Sequence, residues 1–299
     1  MKDFSGKVAV VTGGGAGMGR AMTRQLAEAG CSVAICDISE EDMAVSVAEA
    51  IKHAPQSVRV TSFRADVSDE TAVNAFAEHV RAAHEIDHVH LLINNAGIGG
   101  GGSFVADQRA NWERTFNVCW YGVYNNARAF MPMLLAAEEG HIVNVSSVNG
   151  FWASLGPETP HTAYSAAKFA VKGFTEALIT DLRINAPHIK ASVVMPGHIA
   201  TQIALNTLRE FGDNSGVGGA GEEYEAAKAR GEQFRDTGLT SAEEAATTIL
   251  DGVRSEKWRI LIGPDAEAID AAVRLTPEDA YEGAFGMDVF AGVRAAVQG

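Results

Sequence analysis

Tyr164 and Lys168 lie four residues apart at the start of a predicted helix, which puts both on one face of it. An ammonium beside a phenol favours the phenolate and lowers a pKa whose reference value is about 10, so the pair can serve as a general base near neutral pH. The spacing alone is weak, because Tyr224 and Lys228 repeat it. Context separates the two. Tyr164 follows a short apolar run ending in Ser146-Ser147, where a hydroxyl either caps the strand end or holds a substrate oxygen beside the phenol. Tyr224 follows a glycine-rich stretch and sits in an acidic run, as expected of a solvated helix face.

Such a pair needs elements that position it and a partner for the chemistry. The most informative stretch is residues 8–20. Four apolar residues end at Thr12, glycines stand at 13, 14, 15, 17 and 19, and a helix is predicted from Arg20. A buried strand that turns through glycines into a helix start makes a phosphate cradle, with free N–H groups and the positive end of a helix dipole. The G-x-G-x-x-G pattern fails in every register, whereas T-G-x-x-x-G-x-G fits from Thr12 to Gly19. The glycines alone would also suit an ordinary turn. Asp37 stands 24 residues after Gly13, at the end of the second predicted strand. It either caps the next helix or accepts hydrogen bonds from an adenosine ribose. A carboxylate there repels a 2′-phosphate, and no Arg or Lys occurs at 13–19 or 38–39 to attract one. We therefore expect NAD rather than NADP.

Strands are predicted at 7–11, 32–36, 58–63, 90–93, 141–145, 190–194 and 259–262. Helices alternate with them at 17–30, from 40, at 69–84, 111–137 and 164–184. Short continuous apolar runs suit parallel strands buried on both faces. The expected fold is α/β, a Rossmann-type doubly wound parallel sheet of about seven strands, in one domain over 1–299. Two segments break the rhythm, 148–162 and an insert at 201–239 that contains a glycine-rich run at 216–221. Both leave the carboxyl ends of strands, where such sheets bind ligands. A tail over 264–299 holds an amphipathic helix at 266–275 and then a small Gly/Ala-rich end.

A net charge of −14 argues against nucleic acid and anionic membranes as partners. No apolar run reaches the ~20 residues of a membrane span. The first residues lead straight into a strand, so we expect no signal peptide and a cytoplasmic protein. Cys31, Cys36 and Cys119 lack metal-site or disulfide spacing and read as buried thiols. His84, His88 and His90 gather at a predicted helix-to-strand turn, but nothing else resembling a ligand set follows them, and no metal is expected.

Taken together, residues 5–201 resemble the short-chain dehydrogenase/reductase family in its single-domain branch. Gly13, Gly15, Gly17, Met18 and Gly19 fall in a run that looks like the family's cofactor turn. Asp37 and Ile38 follow at the ribose, and Asp66 with Val67 looks like the adenine contact. Asn94, Ala96 and Gly97 belong to a match for the family's N-N-A-G, which runs along the cofactor. Asn117 matches a helical asparagine that places a water for proton relay. Ser147, Tyr164 and Lys168 match the catalytic serine, tyrosine and lysine. Pro196, Gly197, Ile199 and Thr201 fall in a match for the turn that seats the nicotinamide carboxamide. The resemblance implies a hydride-transfer enzyme, with Ser147 and Tyr164 on the substrate oxygen and Lys168 tuning Tyr164 and holding the ribose. Ser147 and Tyr164 are 17 positions apart, a few more than usual for the family, with the extra residues in 155–161. This leaves open which serine points inward.

Candidate substrate residues are Phe151, Trp152 and His198, with Ile98, the glycine run 99–102, His161, Leu205, Leu208 and Phe211 around them. Apolar and aromatic walls suggest a hydrophobic, aromatic or alicyclic secondary alcohol and its ketone. The resemblance also implies a homodimer or homotetramer. The alternatives are an NADP-linked carbonyl or 3-oxoacyl reductase, and a non-catalytic NAD-sensing protein.

Overall fold

The architecture was obtained as a computed structural model that describes residues 1–156, 159–211, 222–283 and 285–298. The glycine-rich run 216–221, and Pro157 and Glu158 of the long loop before Tyr164, lie outside the described residues.

The chain runs β1 (Val8–Thr12), α1 (Gly17–Glu28), β2 (Ser32–Asp37), α2 (Glu40–Ile51), β3 (Val60–Arg64), α3 (Glu70–His84) and β4 (Leu91–Asn94). Then come α4 (Arg109–Phe116), a π-helical turn (Asn117–Tyr121), α5 (Gly122–Leu135), β5 (Gly140–Val145), α6 (Thr162–Asn185) and β6 (Ile189–Pro196). The last part holds β7 (Ile199–Ala200), α7 (Ile203–Phe211), α8 (Glu222–Asp236), β8 (Thr240–Ser241), α9 (Ala242–Arg254), β9 (Arg259–Ile262), α10 (Pro264–Leu275) and α11 (Phe285–Gln298). Seven strands form one parallel sheet in the order β3-β2-β1-β4-β5-β6-β9. The order reverses between β1 and β4, and a crevice opens at that switch point above the strand ends.

Alternation along each strand builds both faces. Val11, Val33, Ile35 and Ile93 face α1 and α9, where Met22, Leu26, Ile249 and Leu250 meet them. Val10, Ala34, Leu92 and Ile142 face the other layer, with Phe76, Phe130, Met133 and Leu182. Local signals set the helix starts. Ser39 Oγ accepts the Asp42 N–H, Asp69 accepts from Thr71 and Ala72, and Ser241 with Glu244 closes a capping box.

Two features depart from expectation. The helix expected at 111–137 is broken by the five-residue π turn, which shifts the facing of every side chain before it. The small end of the tail is a second helix, α11. With α10 it forms a third apolar cluster around Trp152, Ile269 and Ala280. Among the described residues no helix is long and apolar enough to cross a membrane.

Three histidines are built into this frame as neutral rings. His84 Nε2 pairs with Thr61 Oγ1 at 2.8 Å, His90 Nδ1 accepts the Val8 N–H at 3.1 Å, and His141 Nε2 pairs with Ser192 Oγ at 2.7 Å. Burial pushes their pKa values down to about 4, about 4 and about 3. The unfolded chain takes up these protons near pH 6.5 and the folded chain does not, so stability falls as pH drops from 6.5 towards 4. Each histidine contributes about 2 kcal/mol to the loss by pH 5. Calorimetry should show Tm falling steeply from pH 7 to pH 5, and less steeply for His141→Gln.

Candidate active site

The crevice above β1 and β4 is a cleft of about 370 Å³ lined by Gly13, Gly17, Asp37, Asp66, Ala96, Gly97 and Thr201, among others. Its floor is the β1–α1 turn. Gly13 takes φ +65°, and a Cβ there would lie 2.8 Å from the Ala96 Cα, so the two loops meet backbone to backbone. Thr12 Oγ1 fastens the second loop by accepting the N–H groups of Asn95 and Ala96, each at 3.0 Å. Asn95 Nδ2 returns a bond to the Thr12 carbonyl. The N-terminus of α1 has no side-chain cap and no acidic residue in its first turn, so its N–H groups stay open to an anion. A dinucleotide fits this floor.

At the far end of the cleft, Asp37 Oδ2 accepts the Gly15 N–H at 3.0 Å, and Oδ1 accepts from Ile38 and Ser39. Burial raises the carboxyl above its usual pKa, and the three N–H groups oppose that rise. Burial pushes Asp66 the same way, but bonds from Ser68 and Arg114 outweigh it and hold Asp66 below the usual range. Val67 packs under the π turn, close to Gly122.

At the end of β5, the Ser147 hydroxyl accepts the Asn149 N–H at 3.1 Å and lies near enough to the Tyr164 phenol to oppose the rise in its pKa. Ser146 Oγ instead donates to the Lys168 carbonyl at 2.7 Å. Lys168 Nζ donates to the Val145 carbonyl at 2.8 Å and lies 5.3 Å from the centre of the Tyr164 ring. Burial pushes the Tyr164 phenol up and the Lys168 ammonium down. This reverses the lowered phenol pKa expected from the lysine alone, because desolvation penalises both charged forms.

Several expected residues stand elsewhere. Asn117 is exposed at the start of the π turn, and its carbonyl accepts the Gly122 N–H. Cys119 is buried instead, with its thiol donating to the Ile98 carbonyl at 3.2 Å, and a Cβ on Gly97 would lie 3.6 Å from Lys168 Nζ and 3.7 Å from Cys119 Sγ. Asn94 does not line the cleft. It is buried and donates to Asn144 Oδ1, which belongs to a chain running on to Thr175. Trp152 is 2% exposed and donates its indole N–H to the Ala280 carbonyl, and Phe151 packs in the same tail cluster. His198 Nε2 pairs with the Phe234 carbonyl of α8, and its backbone N–H donates to Asp265. The three substrate candidates thus seat α8 and the tail. Pro196 ends β6, Gly197 N–H donates to the Ile262 carbonyl, and Ile199 is buried in β7.

A family model for short chain dehydrogenase matches residues 7–210. The chain belongs to the short-chain dehydrogenase family. A Mycobacterium tuberculosis protein named as an oxidoreductase, SadH, is 37% identical over 278 residues, covering 92% of each chain. A crystal structure of a family member from Burkholderia phymatum in complex with NAD superposes with a TM-score of 0.81 at 32% identity, covering 93% of this chain and 95% of that one. A metagenomic short-chain oxidoreductase in complex with NADP gives 0.63 at 25% identity, covering 86% and 97%. Membership makes the protein an oxidoreductase that uses a nicotinamide cofactor.

Sequence reasoning missed Arg114, which ties the family's cofactor cleft to α7. Its guanidinium donates to Asp66 Oδ2 at 2.7 Å and to Glu210 Oε1 at 2.8 Å. Its only mark in the sequence was a basic residue near the start of the helix expected to run unbroken over 111–137. Thr207 Oγ1 takes the Gly99 N–H at 2.8 Å, and Phe211 lies against Gly100, so α7 closes over the glycine run. Arg114→Met should raise the amide hydrogen-exchange rates of α7 about tenfold, the loss of one half-buried charged bond. Unchanged rates would show that α7 is held by Thr207 and Phe211 alone.

Proposed function

We propose that the protein is an NAD-dependent dehydrogenase that interconverts a secondary alcohol and its ketone. The observation that carries this reading is the buried cluster of Ser147, Tyr164 and Lys168 beside the dinucleotide cleft. Bound nicotinamide supplies the hydride acceptor or donor. Ser147 and Tyr164 hold the substrate oxygen between their hydroxyls, and Tyr164 takes the alcohol proton or returns it to the ketone oxygen. Burial favours the protonated phenol, the form needed as an acid. Lys168, fixed on the Val145 carbonyl, supports the phenolate when the proton moves the other way.

Support for NAD over NADP comes from the ribose end of the cleft, where Asp37 and Asp42 both line the wall. A 2′-phosphate would meet two carboxylates. An apolar alcohol, aromatic or alicyclic, suits the walls near the glycine run, where a second cavity of about 250 Å³ is lined by Gly100, Ala204, Leu208 and Phe211. A homodimer or homotetramer in the cytoplasm completes the reading, with pairing through α4–α5 and α6, whose Tyr121, Tyr124 and Phe169 are exposed.

Absorbance of NADH with a panel of secondary alcohols tests the activity. Tyr164→Phe should lower kcat about 1000-fold and leave the NADH dissociation constant within about threefold, because the phenol serves the proton step and not the dinucleotide. Equal loss in both would reject the acid–base role. Asp37→Ser should lower kcat/KM for NAD about 30-fold while raising it for NADP, the worth of a charge-assisted bond and of repulsion removed. A wild-type chain that uses NADP as well as NAD would overturn the cofactor assignment.

A further inference from the structure

His161 lies directly against the catalytic tyrosine. Its imidazole tilts over the Tyr164 ring with centroids 4.7 Å apart. The backbone holds it there from both sides. The next two N–H groups, of Thr162 and Ala163, donate to the Gly102 and Gly101 carbonyls at 2.9 and 3.0 Å, and the His161 carbonyl accepts the Ser165 N–H at 3.1 Å. Thr162 Oγ1 adds a second bond to the Gly102 carbonyl. The ring is therefore placed by the same contacts that fold the glycine run onto α6.

None of the described residues hydrogen-bonds either ring nitrogen. Four other rings are tied down by protein partners, His84 by Thr61, His90 by Val8, His141 by Ser192 and His198 by Phe234, whereas the Nε2 atoms of His79 and His188 are buried without one. Burial alone pushes the His161 pKa down to about 4, so at neutral pH the ring is uncharged, with one N–H donor and one bare acceptor. The ring is half-buried and neither nitrogen is sealed from solvent without a partner, so a substrate oxygen can bond it in place of water.

We propose that His161 is a substrate-recognition residue, and that the substrate carries a second oxygen on the carbon next to the one oxidised. This rests on the dehydrogenase reading above and narrows its substrate to vicinally oxygenated secondary alcohols and the matching hydroxyketones. A ring lying on the phenol that takes the first oxygen can reach a neighbouring oxygen of the same substrate. A hydroxyl or carbonyl fits the neutral ring equally, through its acceptor or its donor. A carboxylate does not gain a counter-charge from it.

The test uses the full chain with NAD and two alcohols that differ by one hydroxyl, α-methylbenzyl alcohol and styrene glycol. Wild type should show kcat/KM at least about tenfold higher for styrene glycol, the discrimination of a site with a polar group left unpaired by the simpler alcohol. His161→Phe, which keeps the stacked ring, should lower kcat/KM for styrene glycol about tenfold more than for α-methylbenzyl alcohol, chiefly through KM. His161→Asn should recover part of the preference. Equal effects on the two alcohols, or a wild type that does not distinguish them, would overturn the inference and leave the dehydrogenase reading standing. A wild type that oxidises neither these nor any other secondary alcohol would remove both.

Discussion

The arrangement of Ser147, Tyr164 and Lys168 depends on how Lys168 is buried. A lysine ammonium out of water needs a strong acceptor, and here it takes the Val145 carbonyl, near the last residue of β5. The Lys168 carbonyl in turn accepts the Ser146 hydroxyl. These two bonds run in opposite directions between α6 and the end of β5. They set the distance between the strand that carries Ser147 and the helix that carries Tyr164. A Cβ on Gly150 would lie 2.8 Å from the Lys168 carbonyl, so the turn after Ser147 is also pressed against the helix. Ser147 is left facing Tyr164 because its neighbour is committed to this clamp.

The cleft above β1 and β4 was legible in the chain because backbone makes it. Glycines at fixed spacing, a threonine closing β1 and an acid closing β2 are signals carried by residue type alone. The strands were equally plain, since a parallel sheet covered on both faces leaves short unbroken apolar runs. Residues 259–262 were read as the last strand, and β9 occupies Arg259–Ile262. Near the reacting atoms the legibility falls. Asn117 was read as part of one continuous helix. A π turn adds a residue to the helical repeat and rotates the face that reaches Lys168, and no residue type signals it. Cys119 comes inward as a result.

The substrate half was read least well, for a different reason. Phe151, Trp152 and His198 are large or polar residues in loops beside the site, and sequence distance made them its walls. Their partners lie far along the chain. Trp152 bonds Ala280 across 128 residues, and His198 bonds Phe234 across 36. Tertiary partners of that kind leave no periodic trace. Arg114 is hidden in the same way, since its ion pairs reach 48 residues back to Asp66 and 96 forward to Glu210.

These long-range bonds divide the labour around the cleft. The tail and α8 take the aromatic and imidazole groups that would otherwise stand in the pocket, and so stiffen the loops after β5 and β6. His161 is left as the polar side chain beside Tyr164 without a protein partner. The half-buried ring keeps its nitrogens open to solvent and so to a hydrogen-bonding group of the substrate. On the proposed dehydrogenase reading, the clamp at Lys168 sets where the first oxygen sits, and the glycine run holds the imidazole beside it. Specificity on that account lies in a hydrogen bond completed by the substrate, and only the position of the reacting carbon is set by the elements the whole family shares.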